Sequence, residues 1–304
     1  MAAKSDERDV IVVAEIQMNY MRFNLVGTTP LMPHSPSAHA RGQLLFPSPR
    51  KNLAERAVTM KHEPFDEYRE AAYCFTNDEV ADKKTRFYMP AGAIKRAIAD
   101  VAIDLKDARK AQIGRLTSVP GMRLPLFGTT KINTMLVRSS DMNRTPDIRT
   151  LPILEHWALP KVPIRFVKSL IKEQSIVNLV ANAGIIIGIG DGRQQHGYFD
   201  FGGWRIANDD DEELQEILKS STVEKQDAAL AQPGYYDLET EKLLTWFVAE
   251  KQRRSAAPAV SPRKKKKQQQ DDADADALVL SPDALSALVA KQDGKLPSVP
   301  DFDV

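Results

Sequence analysis

Residues 184–201 read GIIIGIGDGRQQHGYFDF, and they hold the residue types best suited to gripping an anion. Gly184, Gly188, Gly190, Gly192 and Gly197 surround the cluster Arg193-Gln194-Gln195-His196. Successive small residues let backbone amides converge on an anion and let a ligand come close. Arg193 can fork onto a phosphate, and His196 can add a hydrogen bond. The plainer alternative is a bulge or tight hairpin that needs glycine for its geometry.

Three further groups point to the same chemistry. Lys95 and Arg96 lie near the start of a helix, where cations oppose the helix dipole. That small cost makes sense if they face an anion; otherwise they form a solvated face. Arg109, Lys110, Arg115, Arg123, Lys131, Arg138, Arg144 and Arg149 cover a long connection that is either a basic clamp or an ordinary surface loop. After the glycine run, alternation sends Tyr198 to one side and Phe199 and Phe201 to the other. Tyr198 and Phe201 are therefore competing candidates for stacking on a base. Trp157 reads as core.

Enzymatic chemistry has thinner support. His34 and His39 lie in a Pro-rich loop with no partner constellation, so the pair is either a chance surface pair or an acid–base couple. No HExxH, GxSxG, Walker loop or paired-carboxylate signature is present. The sequence therefore names no catalytic residue, no metal ligand and no cofactor. A single cysteine, Cys74, excludes an internal disulfide and any Cys-rich zinc site.

The elements that must position these residues follow from pattern. MRFNLVG (21–27) alternates as a strand. TTPLMPHSPSAHARGQLLFPSPRK is a long Pro-rich loop. LAERAVTMKHEPFDEYREAAYCF is helical in pieces, broken at Pro64, and RFYMP is a short strand. Pro90 opens a helix over 91–106, with Ile94, Ala97, Ile98, Val101 and Leu105 on one face. KINTMLVRS (131–139) and KVPIRFVK (161–168) read as strands. KEQSIVNLVANAG reads as a helix with Ile176, Leu179, Val180 and Ala183 inward, closed at Gly184. GIIIGIG reads as a buried final strand, followed by the loop and YFDFGGWRI.

The predicted order is strand, helix, strand, strand, helix, strand. That is an α+β, ferredoxin-like or RRM-like βαββαβ core with long insertions. Residues 209–230 and 238–254 read as surface helices.

Three parts result: a flexible lead over 1–19, a domain over 20–254, and a disordered tail over 255–304. The tail carries AAPAVSPRKKKKQQQDDADADA, which cannot bury a core, and ends in Asp301-Phe302-Asp303-Val304. Net charge is +1 over 304 residues, but Lys and Arg dominate Ala91–Arg205 while acids collect in 208–214, 271–276 and the final residues. A basic body with acidic appendages is common among nucleic-acid-binding proteins. No apolar signal core or membrane-spanning run is present, so a cytoplasmic setting is expected.

Two stretches carry a family resemblance. FYMPAGAIKRAIADVA resembles the Pro-led helix segment of the RAMP superfamily, the RNA-binding subunits of CRISPR effector complexes. GIGDGRQQHGYFDF resembles their glycine-rich loop, in the same chain order. A nearer resemblance is to a family of tailed-phage proteins, carried by GTTPLM (27–32), RTLPILEHW (149–157) and AGIIIGIGDGRQQHGYF (183–199). That family has Trp-Arg-Pro where this chain has Gly192-Arg193-Gln194.

The resemblance implies a RAMP-like fold over most of 20–206 and single-stranded nucleic-acid binding. The candidate contacts are Gly190, Gly192, Arg193, His196, Gly197, Lys95, Arg96, Tyr198, Phe201, Arg138, Arg144 and Arg149. The expected protein is non-enzymatic and phage-encoded, binds single-stranded DNA in replication or recombination in the host cytoplasm, and multimerises along the strand. Its acidic tip would meet a protein partner, and no membrane is involved. The alternatives are a guide-RNA-coating CRISPR-type subunit, a metal-independent endoribonuclease like some RAMP relatives, and a module that acts on a host protein.

Overall fold

A computed structural model describes residues 15–36, 62–106, 108–138, 146–196 and 199–256. His39, Arg144, Gly197, Tyr198 and the acidic tip lie outside them. Alternating side chains give β1 (Met18–Gly27), with Phe23 and Leu25 turned into the core. Helices α1 (Pro64–Ala71) and α2 (Asn77–Lys83) follow; a Thr76/Glu79 capping box opens α2. Then come β2 (Phe87–Pro90), α3 (Ala91–Asp100), α4 (Lys110–Leu116) and a two-residue β3 (Thr117–Ser118). The long strands β4 (Arg123–Arg138) and β5 (Pro146–Val167) are followed by α5 (Glu173–Asn182) and β6 (Trp204–Ala207). Three helices close the described chain: α6 (Glu212–Ser220), α7 (Val223–Ala231) and α8 (Leu238–Ala256).

The fold is α+β, built on a six-stranded antiparallel sheet in the order β2-β4-β5-β1-β6, with β3 pairing β5. Both faces of the sheet are covered, though unequally. On one face, Phe23, Leu25, Val162, Ile164 and Phe166 meet Ile94 and Ile98 of α3 and Ile176, Leu179 and Val180 of α5 in the main core. On the other, Val26, Phe127, Ala158 and Ala207 pack on Leu214 and Ile217 of α6, and Ile132 packs with Tyr68 and Leu244. Trp157 is fully buried and donates its indole N–H to the Thr29 carbonyl at 2.8 Å. No described helix is long and apolar enough to cross a membrane.

Several expectations are corrected. GIIIGIG is not a strand. The helix does not close at Gly184 but continues as a π turn over Ala183–Ile187 and ends at Gly188, whose N–H donates to the Ala183 carbonyl at 3.0 Å. Gly184 permits this, because any Cβ there would collide with Trp204. The last strand is instead β6, which pairs antiparallel with β1 from Asn24↔Ala207 to Gly27↔Trp204. The helix expected over 91–106 stops at Asp100 and tightens into a 3-10 turn over Val101–Ile103.

The supposed basic loop before Lys161 is largely strand. β5 starts at Pro146 and pairs with β4 as far as Arg138↔Pro146. Pro152 and Pro160 disguise it, since proline normally argues against a central strand. Pro160 sits beside a bulge where Lys161 takes φ 52° and donates its N–H to Asn24 Oδ1 at 2.9 Å.

Candidate functional site

Three segments far apart in the chain converge on one surface cleft of about 340 Å³. The β1–α1 connection brings His34, the β2–α3 junction brings Met89, Pro90 and Ala93, and the glycine run brings Gly190, Asp191 and Arg193. Tyr73 completes the lining. The fold places them by simple means. The Asp191 amide donates to the Met32 carbonyl at 2.8 Å, which ties the glycine run to the β1–α1 connection. Gly190 takes φ 84°, and a Cβ there would press on Met32, so glycine is what lets the two backbones lie so close.

Asp191 anchors one side of the cleft. Its Oδ2 accepts from His34 Nδ1 at 3.1 Å and from Arg149 Nη1 at 2.6 Å, and its Oδ1 accepts from the Gly192 amide at 2.9 Å. The His34 hydrogen bond first, then Arg149, holds the Asp191 carboxyl well below the usual carboxylate range, against the opposing effect of burial. A carboxylate only accepts, so His34 carries its proton on Nδ1 and leaves Nε2 as an acceptor when neutral. Its side chain is 42% exposed.

Asp100, outside the lining itself, anchors a second network that is joined to Arg193. It is 1% exposed at the end of α3 and pairs with Lys110 Nζ at 2.6 Å and Arg96 Nε at 3.6 Å. Gln195 donates to its Oδ2 at 3.1 Å. Burial opposes ionisation of Asp100, but the Lys110 and Gln195 hydrogen bonds and the Arg96 charge prevail, and its pKa falls below the ordinary value. Arg193 reaches this network through Gln195 Oε1 at 3.1 Å, and its Nη1 donates to the Gly190 carbonyl at 3.3 Å. Burial first, then the Arg96 charge, pushes the Arg193 guanidinium below its usual pKa. It stays protonated at physiological pH all the same.

Four cations, Arg96, Lys110, Arg149 and Arg193, thus share two carboxylates, Asp100 and Asp191. A partly desolvated cation crowded by another cation gains from an incoming anion. The arrangement suits a phosphate or similar group bound by side chains. It does not suit an amide nest, because the amides of Gly188, Ile189, Asp191 and Gly192 all donate within the protein. Among the described residues, no group of three or more His, Cys, Asp or Glu is placed to hold a metal ion.

The sequence candidates divide. Gly190 and Arg193 line the cleft, Arg149 clamps Asp191, and Arg96 neighbours Arg193. Lys95 is exposed on the same helix turn, and His196 is exposed on the 3-10 turn Gln194–His196, outside the lining. Gly192 is packed: a Cβ there would lie 2.8 Å from the Phe201 ring. Phe201 itself is half-buried and stacks on Phe199 with centroids 5.5 Å apart, leaving Phe199 the more open ring. Arg138 ends β4, opposite Pro146.

Sequence reasoning missed Asp191, Asp100, Gln195 and Tyr73. Only Asp191 carried a signal, because an acid inside a basic glycine run needs a partner. No family model matches the chain, and no curated protein matches it.

Proposed function

We propose that this protein binds single-stranded nucleic acid without cleaving it, on a ferredoxin-like core of RAMP type, and that it is a phage-encoded single-stranded-DNA-binding protein of replication or recombination. What carries the reading is the meeting of two separate motif segments, PAGAIKR and GIGDGR, at one cationic cleft. Neither the Pro-led helix nor the glycine run needs the other for local geometry. The strand order β4-β5-β1-β6, with α3 and α5 in the two crossing connections and packed on one face, supports the ferredoxin-like core. Arg193 holds a phosphate from within the cleft, Arg96 and Lys95 follow the backbone beside it, and Phe199 or Phe201 stacks on a base. Copies multimerise along the strand.

A titration of labelled single-stranded DNA, single-stranded RNA and duplex at two salt concentrations tests this. The reading expects single-strand binding, DNA over RNA, that weakens steeply with salt. Salt-insensitive or absent binding contradicts it. Preference for RNA favours the guide-coating alternative.

One observation favours a second reading, a metal-independent ribonuclease. Asp191 fixes His34 in the cleft lining and leaves Nε2 as an acceptor, a geometry suited to a general base. Cleavage of the RNA in the same titration, lost in His34→Ala, is its signature. Intact RNA excludes it.

A further inference from the structure

Among the described residues, the sheet face away from α3 and α5 is only half covered. Its lower half, at Val26, Phe127, Ala158 and Ala207, lies under α6. Period-two alternation puts Met18, Tyr20 and Arg22 on the same face as Val26, and all three are exposed. Tyr20 is a large ring left 59% open on the part of β1 that pairs with β5, before β6 joins at Asn24. Tyr20 pairs directly with Arg165 of β5, and Arg165 pairs with Ser118 of β3, so the three form one rung across the sheet. Arg165 is exposed, and its guanidinium is pinned by a hydrogen bond from Nε to Ser118 Oγ at 3.0 Å. Arg22 stands one pleat along from Tyr20, opposite Pro163. The nearby acid Glu173 is taken up by Asn19 at 2.8 Å and by Lys168 at 3.9 Å.

We propose that this bare rung is a second contact surface for single-stranded DNA, with Tyr20 stacking on a base and Arg22 and Arg165 holding the phosphates that flank it. The proposal rests on the nucleic-acid reading above. An exposed aromatic between two cations on a flat sheet matches the two needs of an unpaired strand, a π-face for the base and positive charge for the backbone. Tyr20 lies seven residues before the end of β1, about 23 Å along an extended strand from the turn that leads to the cleft. One molecule would therefore cover several nucleotides, within the roughly 4–16 typical of single-strand binding folds.

The test uses the full-length chain and labelled oligo-dT, with Arg193→Ala as the parallel variant. Tyr20 is exposed, so its replacement should leave the melting temperature unchanged. Tyr20→Ala is expected to weaken DNA binding roughly tenfold, in line with the loss of one stacked base. Tyr20→Phe retains affinity, and Tyr20→Trp gives indole fluorescence that quenches on DNA addition. Arg165→Ala weakens binding and flattens its salt dependence. If wild-type protein binds and Arg193→Ala weakens it but Tyr20→Ala does not, the sheet face is overturned while the cleft survives. A Tyr20→Ala effect on oligo-U alone also overturns it. If the wild-type chain binds no DNA, both readings fall.

Discussion

At the residue scale, Asp191 carries the most information. It joins the β1–α1 connection through His34, the β4–β5 hairpin through Arg149, and its own glycine run through Gly192. Hydrogen bonds to a charged group contribute about 1.5–3 kcal/mol each. Asp191→Asn should therefore cost about 1–3 kcal/mol in urea melts at neutral pH, since the amide retains part of the bonding. The pH dependence has a definite sign. The folded pKa lies below the unfolded value of about 3.9. The contribution of Asp191 is thus complete above about pH 4 and fades as pH falls through the folded value. Melts at several acidic pH values should show a shallower loss of stability in Asp191→Asn than in wild type. Equal slopes would mean that the clamp contributes nothing.

At the element scale, the two most chemically suggestive segments were also the easiest to misread. Three consecutive isoleucines after Gly184 look like a buried strand, yet they extend α5 as a π turn. Local β-propensity lost to a tertiary contact, the approach of Trp204 over Gly184, which no local pattern encodes. Gly184→Ala makes the point measurable. Its methyl would strike the Trp204 carbonyl and ring, and overpacking of this kind costs about 1–3 kcal/mol. A thermal melt should show that loss, whereas Gly92→Ala on α3, where a methyl meets open space, should be neutral or slightly stabilising.

The inward faces of α3 and α5 were legible, because Ile94, Ile98, Ile176 and Val180 repeat at helical spacing. β5 was legible only in its last third, since Pro152 and Pro160 mask the rest. The site was half legible. Arg193 and the Pro-led helix stood out by type and spacing. Asp100 and Gln195, which connect them, are 95 residues apart and show no pattern that joins them.

At the scale of the whole molecule, the two faces of the sheet have different tasks. One carries the main core and, through the loops at its rim, the cationic cleft. The other is covered along Val26–Ala207 and bare at Tyr20. Net charge says little by itself at +1, because the acids of 208–214 and 271–276 offset a basic middle. What matters is where cations outnumber their partners, and the glycine run meets α3 at such a place. The most direct test is the salt dependence of single-stranded DNA binding in Arg193→Ala beside Lys242→Ala, an exposed lysine on α8. The cleft predicts that Arg193→Ala lowers affinity and reduces the slope of log affinity against log salt by about 1, while Lys242→Ala leaves both unchanged. Equal effects of the two substitutions would contradict a specific role for the cleft.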